Sequence, residues 1–552
     1  MKALGILLTA AAAFTAGAGT VYECNLGGGL GDWTFVNYDN ALVLTNVSVH
    51  GERALKLVRN PAKRMTAFAL KSPAFDLKGG ASYALEIRFC GTNRWFFTNG
   101  DRKYGTFIRW LDAAGREVPG LRTFGFDCDM DRMSVTSVCG EVPPGAVRAS
   151  ISIGADSAPQ ITPENFAAVS RVTVSTYPAK PAANPHGSSL RDDGVAIVDG
   201  KPFFPIGIYR VRKMEKNGND YRTAFRELKA AGFNTVHTYD TWQMKSFQEF
   251  LDAADEVGMK MFIPVGAENG NGGFNEKYVL AARNRKSLLA WYLADDTALH
   301  VRKRELLWRH TRCKALDPWH ITMHADAAGG ECGHRFGEYF DTTDVFAPEV
   351  YPVQQAKPHG REVLQALASQ KVVQDTLAAN GWPRKASWPI IQHFDGWAVW
   401  NRFPTEAELW AMTYASIAHG ARGILFYAYT GTGWHREGRW ARGVRDVSER
   451  WDEICRLAGE LRTLSDALVA RDAKAQPDVS VNRGEVVARL EDFGDGLLVT
   501  ANATTNAVRA TFGVTGVRRA VPLFEPARTL DATRGLTDDF APYGVHIYKL
   551  EK

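Results

Sequence analysis

SLLAWYLADDT, residues 287–297, is the stretch around which the rest of the chain is organised. Its apolar run, residues 288–293, breaks abruptly into two acids, Asp295 and Asp296. A continuous apolar run of this length between two helical segments is typical of a buried parallel strand. In a parallel barrel, the loops at the carboxyl ends of the strands form the open face that carries the chemistry. The two acids are therefore either half of a site at that face or part of a salt-bridged rim.

The composition indicates a large globular chain of several domains. Its 552 residues exceed one ordinary domain, and 45% hydrophobic and 23% charged residues exclude disorder. The formal net charge is +5 with no basic block, so nucleic acid is not predicted as a partner. An aromatic content of 11%, with 15 Trp, suits either a large core or a protein that stacks rings against sugars.

The amino-terminal residues predict export. MKALGILLTAAAAFTAGAG has one early lysine, an apolar centre and small residues near its end, which predicts a signal peptide over residues 1–20. No other segment approaches the ~20 apolar residues of a membrane span, so we expect a secreted or periplasmic protein. Export permits disulfides, and Cys128 with Cys139 is the most plausible pair among seven cysteines. No zinc spacing is present, and no cofactor is predicted.

Changes in periodicity divide the mature chain into domains. Residues 21–177 alternate short β-rich runs with turns, which predicts an antiparallel β-sandwich. Residues 178–194 are rich in Pro, Ser and small side chains, which predicts a linker. Residues 467–552 return to short strands and predict a second, smaller β-sandwich.

Between the two sandwiches, residues 195–466 alternate strands with helices. Eight buried strands are predicted, at residues 203–209, 234–240, 260–265, 288–293, 320–325, 344–351, 388–393 and 423–429. Thr405 and Glu408 form a capping-box pattern at the start of the helix that precedes the last strand. An open doubly wound sheet would also alternate in this way, but no GxGxxG follows the first strand. The predicted fold is a (β/α)8 TIM barrel, which takes ~250 residues, with a β-sandwich on each side.

Several motifs of the barrel region carry a family resemblance. They are KPFFPIGIY (201–209), LKAAGFNTVHTYD (228–240), LLAWYLADD (288–296), FAPEVYP (346–352) and PTEAELWAMTYASIAHGARGILFYAY (404–429). Together they resemble secreted glycoside hydrolases of the clan A type, in particular bacterial members with flanking β-sandwiches. The N-terminal region resembles the jelly-roll, carbohydrate-binding modules of such enzymes. The resemblance implies cleavage of the glycosidic bonds of a poly- or oligosaccharide by two carboxyl groups.

The resemblance also implies roles for the acids. Such enzymes carry Asn-Glu or Asp-Glu after the fourth strand, and Asp296 stands at the Glu position, so it is predicted as the proton donor. The nucleophile of the family is a Glu after strand seven, where this chain has only Asp395. Glu349 lies inside an apolar strand, where a carboxylate has little reason to exist unless it faces the mouth. We therefore predict Glu349 as nucleophile or base. Adjacent residues of a regular strand point to opposite sides, so Asp295 is assigned to sugar hydroxyls or an arginine.

Polar and aromatic side chains at strand ends are predicted to bind the sugar, since ring faces stack on pyranoses and polar groups orient hydroxyls. They are Tyr209, Tyr239, Asp240, Glu268, Asp295, His324, Asp326, Tyr351, Gln392, His393, Asp395, Tyr427, Tyr429 and Trp434.

Two other functions stay open at this point. His324-x-Asp326 and His393-x-Asp395 could be metal ligands of a metal-dependent barrel hydrolase, although the first strand offers no ligand. The missing Glu of strand seven would also fit a sugar-binding pseudoenzyme without catalytic activity.

Overall fold

The computed structural model describes most of the chain. The described residues are 19–63, 67–77, 82–91, 94–95, 106–123, 126–127, 130–155, 161, 165–177, 184–241, 243–265, 274–297, 301–327, 339, 342–354, 360–380, 384–397, 399–431 and 441–552. No helix in these ranges is both long and apolar enough to cross a membrane. The chain forms two compact units. One takes in the N-terminal sheets and Lys303–Ala315, and the other takes in Asn184–Arg302 and Leu316–Lys552.

The N-terminal unit contains two six-stranded antiparallel sheets. One sheet consists of Gly19–Asn25, Leu42–Val49, Glu52–Arg59, Ser82–Gly91, Ser134–Glu141 and Phe166–Tyr177. The other consists of Thr34–Asn37, Phe68–Lys71, Phe75–Asp76, Phe107–Leu111, Glu117–Thr123 and Arg148–Ala155. Alternation along the strands brings Leu57 and Ile87 of the first sheet into one core with Leu70 and Ile151 of the second. Cys128, of the predicted disulfide, lies outside the described residues.

The second unit is built on a closed parallel barrel, as predicted. Its eight strands, in chain order, are Ile206–Ile208, Thr235–Val236, Lys260–Pro264, Leu288–Tyr292, Ile321–Ala327, Val345–Val350, Ile390–Gln392 and Ile424–Tyr427, with Ala386–Ser387 also pairing on strand six. Strand one pairs with strand eight, and strand five pairs with strand six, which closes the ring. Phe262, Ala290, Met323 and Ala347 fill the interior. The stretch 287–297 supplies the fourth strand, so its acids lie just beyond the carboxyl end.

Helices follow most of the strands along the chain. They are Tyr221–Ala231, Met244–Val257, Glu276–Ala282, Lys303–Leu316, Glu362–Asn380, Glu406–Ala418 and Ser448–Leu468. The predicted capping box is confirmed: the Thr405 side chain accepts from the Glu408 amide at 3.2 Å, and Glu408 accepts from the Thr405 amide at 2.8 Å. This local pairing fixes where the helix before strand eight begins.

The prediction that residues 178–194 form a linker is wrong in part. Ser188–Leu190 pairs with Ala196–Val198, which pairs with Lys201–Phe203, and the three form a small antiparallel sheet ahead of the barrel. The Ser188 hydroxyl donates to the Leu289 carbonyl at 2.5 Å. A serine-rich stretch can therefore form a strand here because its polar groups bond to the barrel.

The C-terminal region forms two further antiparallel sheets. Five strands make one sheet: Val486–Glu491, Leu497–Asn502, Arg519–Leu523, Leu530–Asp531 and Val545–Glu551. Three make the other: Asp478–Val481, Val508–Gly513 and Leu536–Phe540. Leu498 and Tyr548 of the larger sheet share a core with Phe512 and Phe540 of the smaller one.

Candidate active site

Asp295 is the most firmly held acid at the barrel mouth. It is 8% exposed, and both its carboxylate oxygens accept tyrosine hydroxyls. Tyr292 donates to Oδ1 at 2.6 Å, and Tyr239 donates to Oδ2 at 3.0 Å. Tyr292 ends strand four and Tyr239 follows strand two, so both bonds hold Asp295 at the mouth. The predicted contact of Asp295 with sugar hydroxyls or an arginine stays a prediction.

Glu349 lies against Asp295. It is near the end of strand six, in register with Ala327 of strand five and Ile390 of strand seven. Burial, followed by the charges of Asp295 and Asp296 and a hydrogen bond to Asp295, raises the pKa of Glu349 well above its usual range. The raised pKa means that Glu349 carries the proton of its hydrogen bond to Asp295.

Asp296 has a different environment from its neighbour. Its φ is 45°, in the left-handed region, so the strand alternation used to assign the two acids does not apply at this residue. Its side chain is only partly buried. Burial, then the charges of Asp295 and Asp326, raise the pKa of Asp296 to about 7. Asp296 can therefore hold a proton near neutral pH while remaining open to the mouth.

The structure brings together four carboxyl groups from three neighbouring strand ends: Asp295, Asp296, Asp326 and Glu349. Tyr427 and Tyr351 lie beside them, with ring centroids 5.8 Å apart. Burial first, then Glu349, raises the pKa of Tyr351, and burial raises the pKa of Tyr427 to about 12. Both tyrosines stay neutral and can serve as hydrogen-bond donors.

Other predicted site residues have structural partners instead. Asp395 pairs with Arg442, with Oδ1 2.9 Å from Nε. Gln392 is buried and bonds both backbone groups of Val353 at 2.9 Å, which holds the loop after strand six. Tyr209 is fully buried below the mouth, 4.8 Å from the ring of Phe262.

The two predicted histidines and Asp240 have hydrogen-bond or ion-pair partners outside the acid pair. His393 contacts Glu453 of the last helix at 3.3 Å, and His324 bonds the Thr343 hydroxyl at 2.8 Å. Asp240 pairs with Arg212 at 3.2 Å. The two His-x-Asp motifs therefore do not converge as a metal site would require, and the described residues contain no group of three metal-ligating side chains. Glu268 and Trp434 lie outside the described residues.

Sequence reasoning missed three features of the mouth. Tyr292 was counted only as part of an apolar strand, although it holds Asp295. Arg210 follows Tyr209 at the end of strand one, and its Nη1 donates to the Tyr427 hydroxyl at 3.3 Å. Trp397 and Trp400 form a small hairpin after strand seven, with ring centroids 5.8 Å apart. Trp397 is 37% exposed, and the QHFDGW motif that contains it could have indicated this aromatic surface.

Comparison with known proteins gives structural matches only. No protein-family model matches the sequence, and a search of curated proteins returned no match. One solved structure, a glycoside hydrolase, is 13% identical over 67% of this chain and 98% of its own, with a TM-score of 0.48. A family 5 glycoside hydrolase from Bacteroides vulgatus is 12% identical over 67% and 95%, with a TM-score of 0.47. A β-glucuronidase from Bacteroides uniformis is 10% identical over 90% and 62%, with a TM-score of 0.34.

Proposed function

We propose that this protein is an exported glycoside hydrolase that cleaves the glycosidic bonds of a poly- or oligosaccharide. The observation that carries the proposal is the group of carboxyls after strands four and six. Asp296 holds a proton near neutral pH. Beside it, Glu349 is hydrogen-bonded to Asp295. Glycoside hydrolysis needs one carboxylic acid and one carboxylate on either side of the scissile bond. The signal-peptide pattern of residues 1–20 supports export.

Asp296 is the general acid in this proposal. Its raised pKa keeps the proton on the carboxyl until the leaving oxygen needs it, and its partial exposure lets a glycosidic oxygen approach. An ordinary aspartate would be ionised at neutral pH and could not donate. Burial of the side chain, followed by the like charges of Asp295 and Asp326, therefore keeps Asp296 protonated for its role as the acid.

Glu349 is the nucleophile or base. In the free protein it holds a proton in the bond to Asp295, so it acts only after that proton moves to Asp295. The transfer leaves Glu349 as a carboxylate and Asp295 as a neutral acid, with no change in net charge. The hydroxyls of Tyr239 and Tyr292 keep Asp295 oriented to accept the proton. Glu349 can then attack the anomeric carbon or take a proton from water.

The roles are tested by matching each variant to the leaving group. Removal of a proton donor matters most when the leaving group is poor, because an activated aryl group departs without help. We expect Asp296→Asn to lose about 10²- to 10⁴-fold on a natural glycoside and far less on a dinitrophenyl glycoside. Glu349→Gln should lose activity on both nearly equally. Turnover of a chromogenic glycoside panel with each variant measures this difference.

A matched control and a rescue complete the experiment. Asp252→Asn, in an outer-helix pair with Arg285, should keep wild-type rates on both substrates. Azide should restore Glu349→Gly and give an inverted glycosyl azide if the enzyme retains configuration. Near-wild-type turnover of the natural substrate by both active-site variants would reject the assignment. Sugar binding by a wild-type protein that cleaves nothing would point to the pseudoenzyme.

A further inference from the structure

Arg210 lies at the barrel mouth with only uncharged partners. It follows strand one, and its side chain is partly buried. Its Nη1 donates to the Tyr427 hydroxyl at 3.3 Å, and its Nη2 donates to the Gly431 carbonyl at 3.4 Å. The guanidinium also lies 5.5 Å from the centroid of the Tyr239 ring and 6.0 Å from that of Tyr427. Two tyrosine faces therefore frame the cation.

In the part of the protein that the structure describes, Arg210 has no direct ion-pair partner, although the charge of Asp240 acts on it from a longer distance. No carboxylate in the described ranges lies within the 4.0 Å of an ion pair, and the buried Nε has no hydrogen-bond partner. Arg212, two residues later, does pair with Asp240 at 3.2 Å. A partly desolvated guanidinium without a counter-ion is costly, so such groups normally meet an anion. Burial, then the Arg210 charge, lowers the pKa of His237 well below its usual range.

The backbone of Arg210 supports a functional role. Its φ is 60°, in the left-handed region, which costs a residue with a side chain roughly 1–2 kcal/mol. Strain of this kind concentrates where a side chain must be aimed at a site. Here it turns the residue after strand one so that the guanidinium meets the tyrosines of strands two and eight.

Arg210 and the acids lie on different sides of one mouth. Tyr239 contacts both: its ring faces Arg210, and its hydroxyl bonds Asp295. The cation belongs to the side of strands one and eight, while Asp296 and Glu349 follow strands four and six. A sugar placed with its scissile oxygen at the carboxyls would present another substituent to Arg210.

We infer that Arg210 binds an anionic substituent of the substrate sugar, a uronic acid carboxylate or a sulfate ester. This inference rests on the proposed function and names its substrate class. The planar guanidinium can donate hydrogen bonds to either anion through its terminal nitrogens. The anion supplies the paired charge that the described residues lack.

The test compares matched aryl glycosides that differ in one substituent: a neutral hexoside, the corresponding hexuronide and a hexoside sulfate. Wild type should prefer one or both anionic forms by kcat/KM. Arg210→Gln should lose about 10- to 100-fold on the preferred anionic form, the range for a hydrogen bond to a charged group. The loss on the neutral form should be much smaller than the loss on the anionic form, so the variant should lose the anionic preference of wild type. Arg226 forms an exposed ion pair with Glu256 on the outer helices, so Arg226→Gln is the control and should match wild type.

A binding measurement separates this inference from the proposed function. Calorimetry with free hexuronic acid and hexose sulfate needs no turnover. Binding to wild type but not to Arg210→Gln, without cleavage of any glycoside, would reject the hydrolase and keep the anion site. Equal losses on neutral and anionic sugars, or no anionic preference in either assay, would overturn the anion site. If Arg210→Gln does not fold by thermal melting, Arg210→Lys should show a smaller loss on the same anionic form only.

Discussion

The proton on Asp296 sets the pH range in which the proposed acid can work. An unperturbed aspartate ionises near ~4, whereas burial and two neighbouring acids raise the pKa of Asp296 to about 7. A general acid must be protonated, so kcat/KM on a natural glycoside should fall about tenfold per pH unit above that value. A pH–rate profile measures this fall, which is the alkaline limb of the profile. A profile flat to pH 9 would remove Asp296 from the acid role.

Asp295 is predicted to control the same limb from the neighbouring position. Its negative charge is the second cause of the raised pKa of Asp296. Asp295→Asn removes that charge, so the pKa of Asp296 should fall and the alkaline limb should move to lower pH. Only the position of the limb is read, so a lower overall rate does not affect the comparison. The Asp252→Asn profile should superimpose on that of wild type, and a limb that stays in place would contradict the coupling.

At this scale, the sequence indicated which acids gather but not how they pair. Asp295, Asp296 and Glu349 follow apolar runs, and the ends of parallel strands meet at one face, so their proximity was predictable. The separation of Asp295 from Asp296 depended on a strand alternation that the left-handed backbone of Asp296 does not follow. Tyr292 was not predicted as a site residue because a tyrosine inside an apolar run gives no sign of which group its hydroxyl bonds. Arg210 was not predicted because a single arginine in the sequence gives no sign of whether a carboxylate pairs with it.

Among the elements, the helix Glu406–Ala418 shows how local chemistry sets a boundary. Thr405 is exposed, so its contribution comes from the bond to the Glu408 amide rather than from burial. Thr405→Ala should lower the free energy of unfolding by about 1 kcal/mol and leave kcat/KM unchanged. The urea midpoint measures the loss. Thr463→Ala, at an exposed position inside the last helix, should be neutral or slightly stabilising because alanine is the better helix former. Equal shifts for both variants would contradict the capping role.

Elements defined by local rules were predicted well, and those defined by distant partners were not. A capping box and an apolar strand are each determined by a few consecutive residues. The helix that starts after Thr405 and the fourth strand were therefore predicted. Ser188–Leu190 was assigned to a linker because its strand depends on Ala196–Val198 and on the Leu289 carbonyl. A short polar strand carries no period of its own, so only its partners define it.

For the whole molecule, the barrel and the C-terminal sheets behave as one unit. Arg422, ahead of strand eight, pairs with Asp472 at 3.1 Å, and Asp472 also pairs with Arg489 of the C-terminal sheet. Limited proteolysis should therefore cut first within residues 178–187, whose Pro-rich composition predicts a linker, and leave residues 188–552 as one fragment. Gel electrophoresis and mass spectrometry identify the cut. Early cleavage near residue 467 would instead separate the barrel from the C-terminal sheets.

Arg489 is the residue on which this union should depend most. Its side chain is 5% exposed, it donates to the Ile417 carbonyl at 3.0 Å, and it pairs with Glu491 at 3.0 Å. Glu491 is 1% exposed, and burial raises its pKa to about 7 despite the pairing. Arg489→Ala removes the cation paired directly with that buried carboxylate and leaves only the more distant Arg422, which should cost about 3 kcal/mol at pH 8. Thermal melting and the rate of proteolysis near residue 467 measure the loss.

The pH dependence of that loss has a definite sign. A folded-state pKa above the unfolded value of ~4.3 means that Glu491 opposes folding as pH rises through about 7. Loss of Arg489 raises the folded-state pKa further, so the variant should differ from wild type more at pH 8 than at pH 5, where Glu491 is already protonated. Arg471→Ala, which removes an exposed pair with Asp192, should show no loss at either pH. A loss for Arg489→Ala that is equal at both pH values would mean that Glu491 is not the group left unpaired.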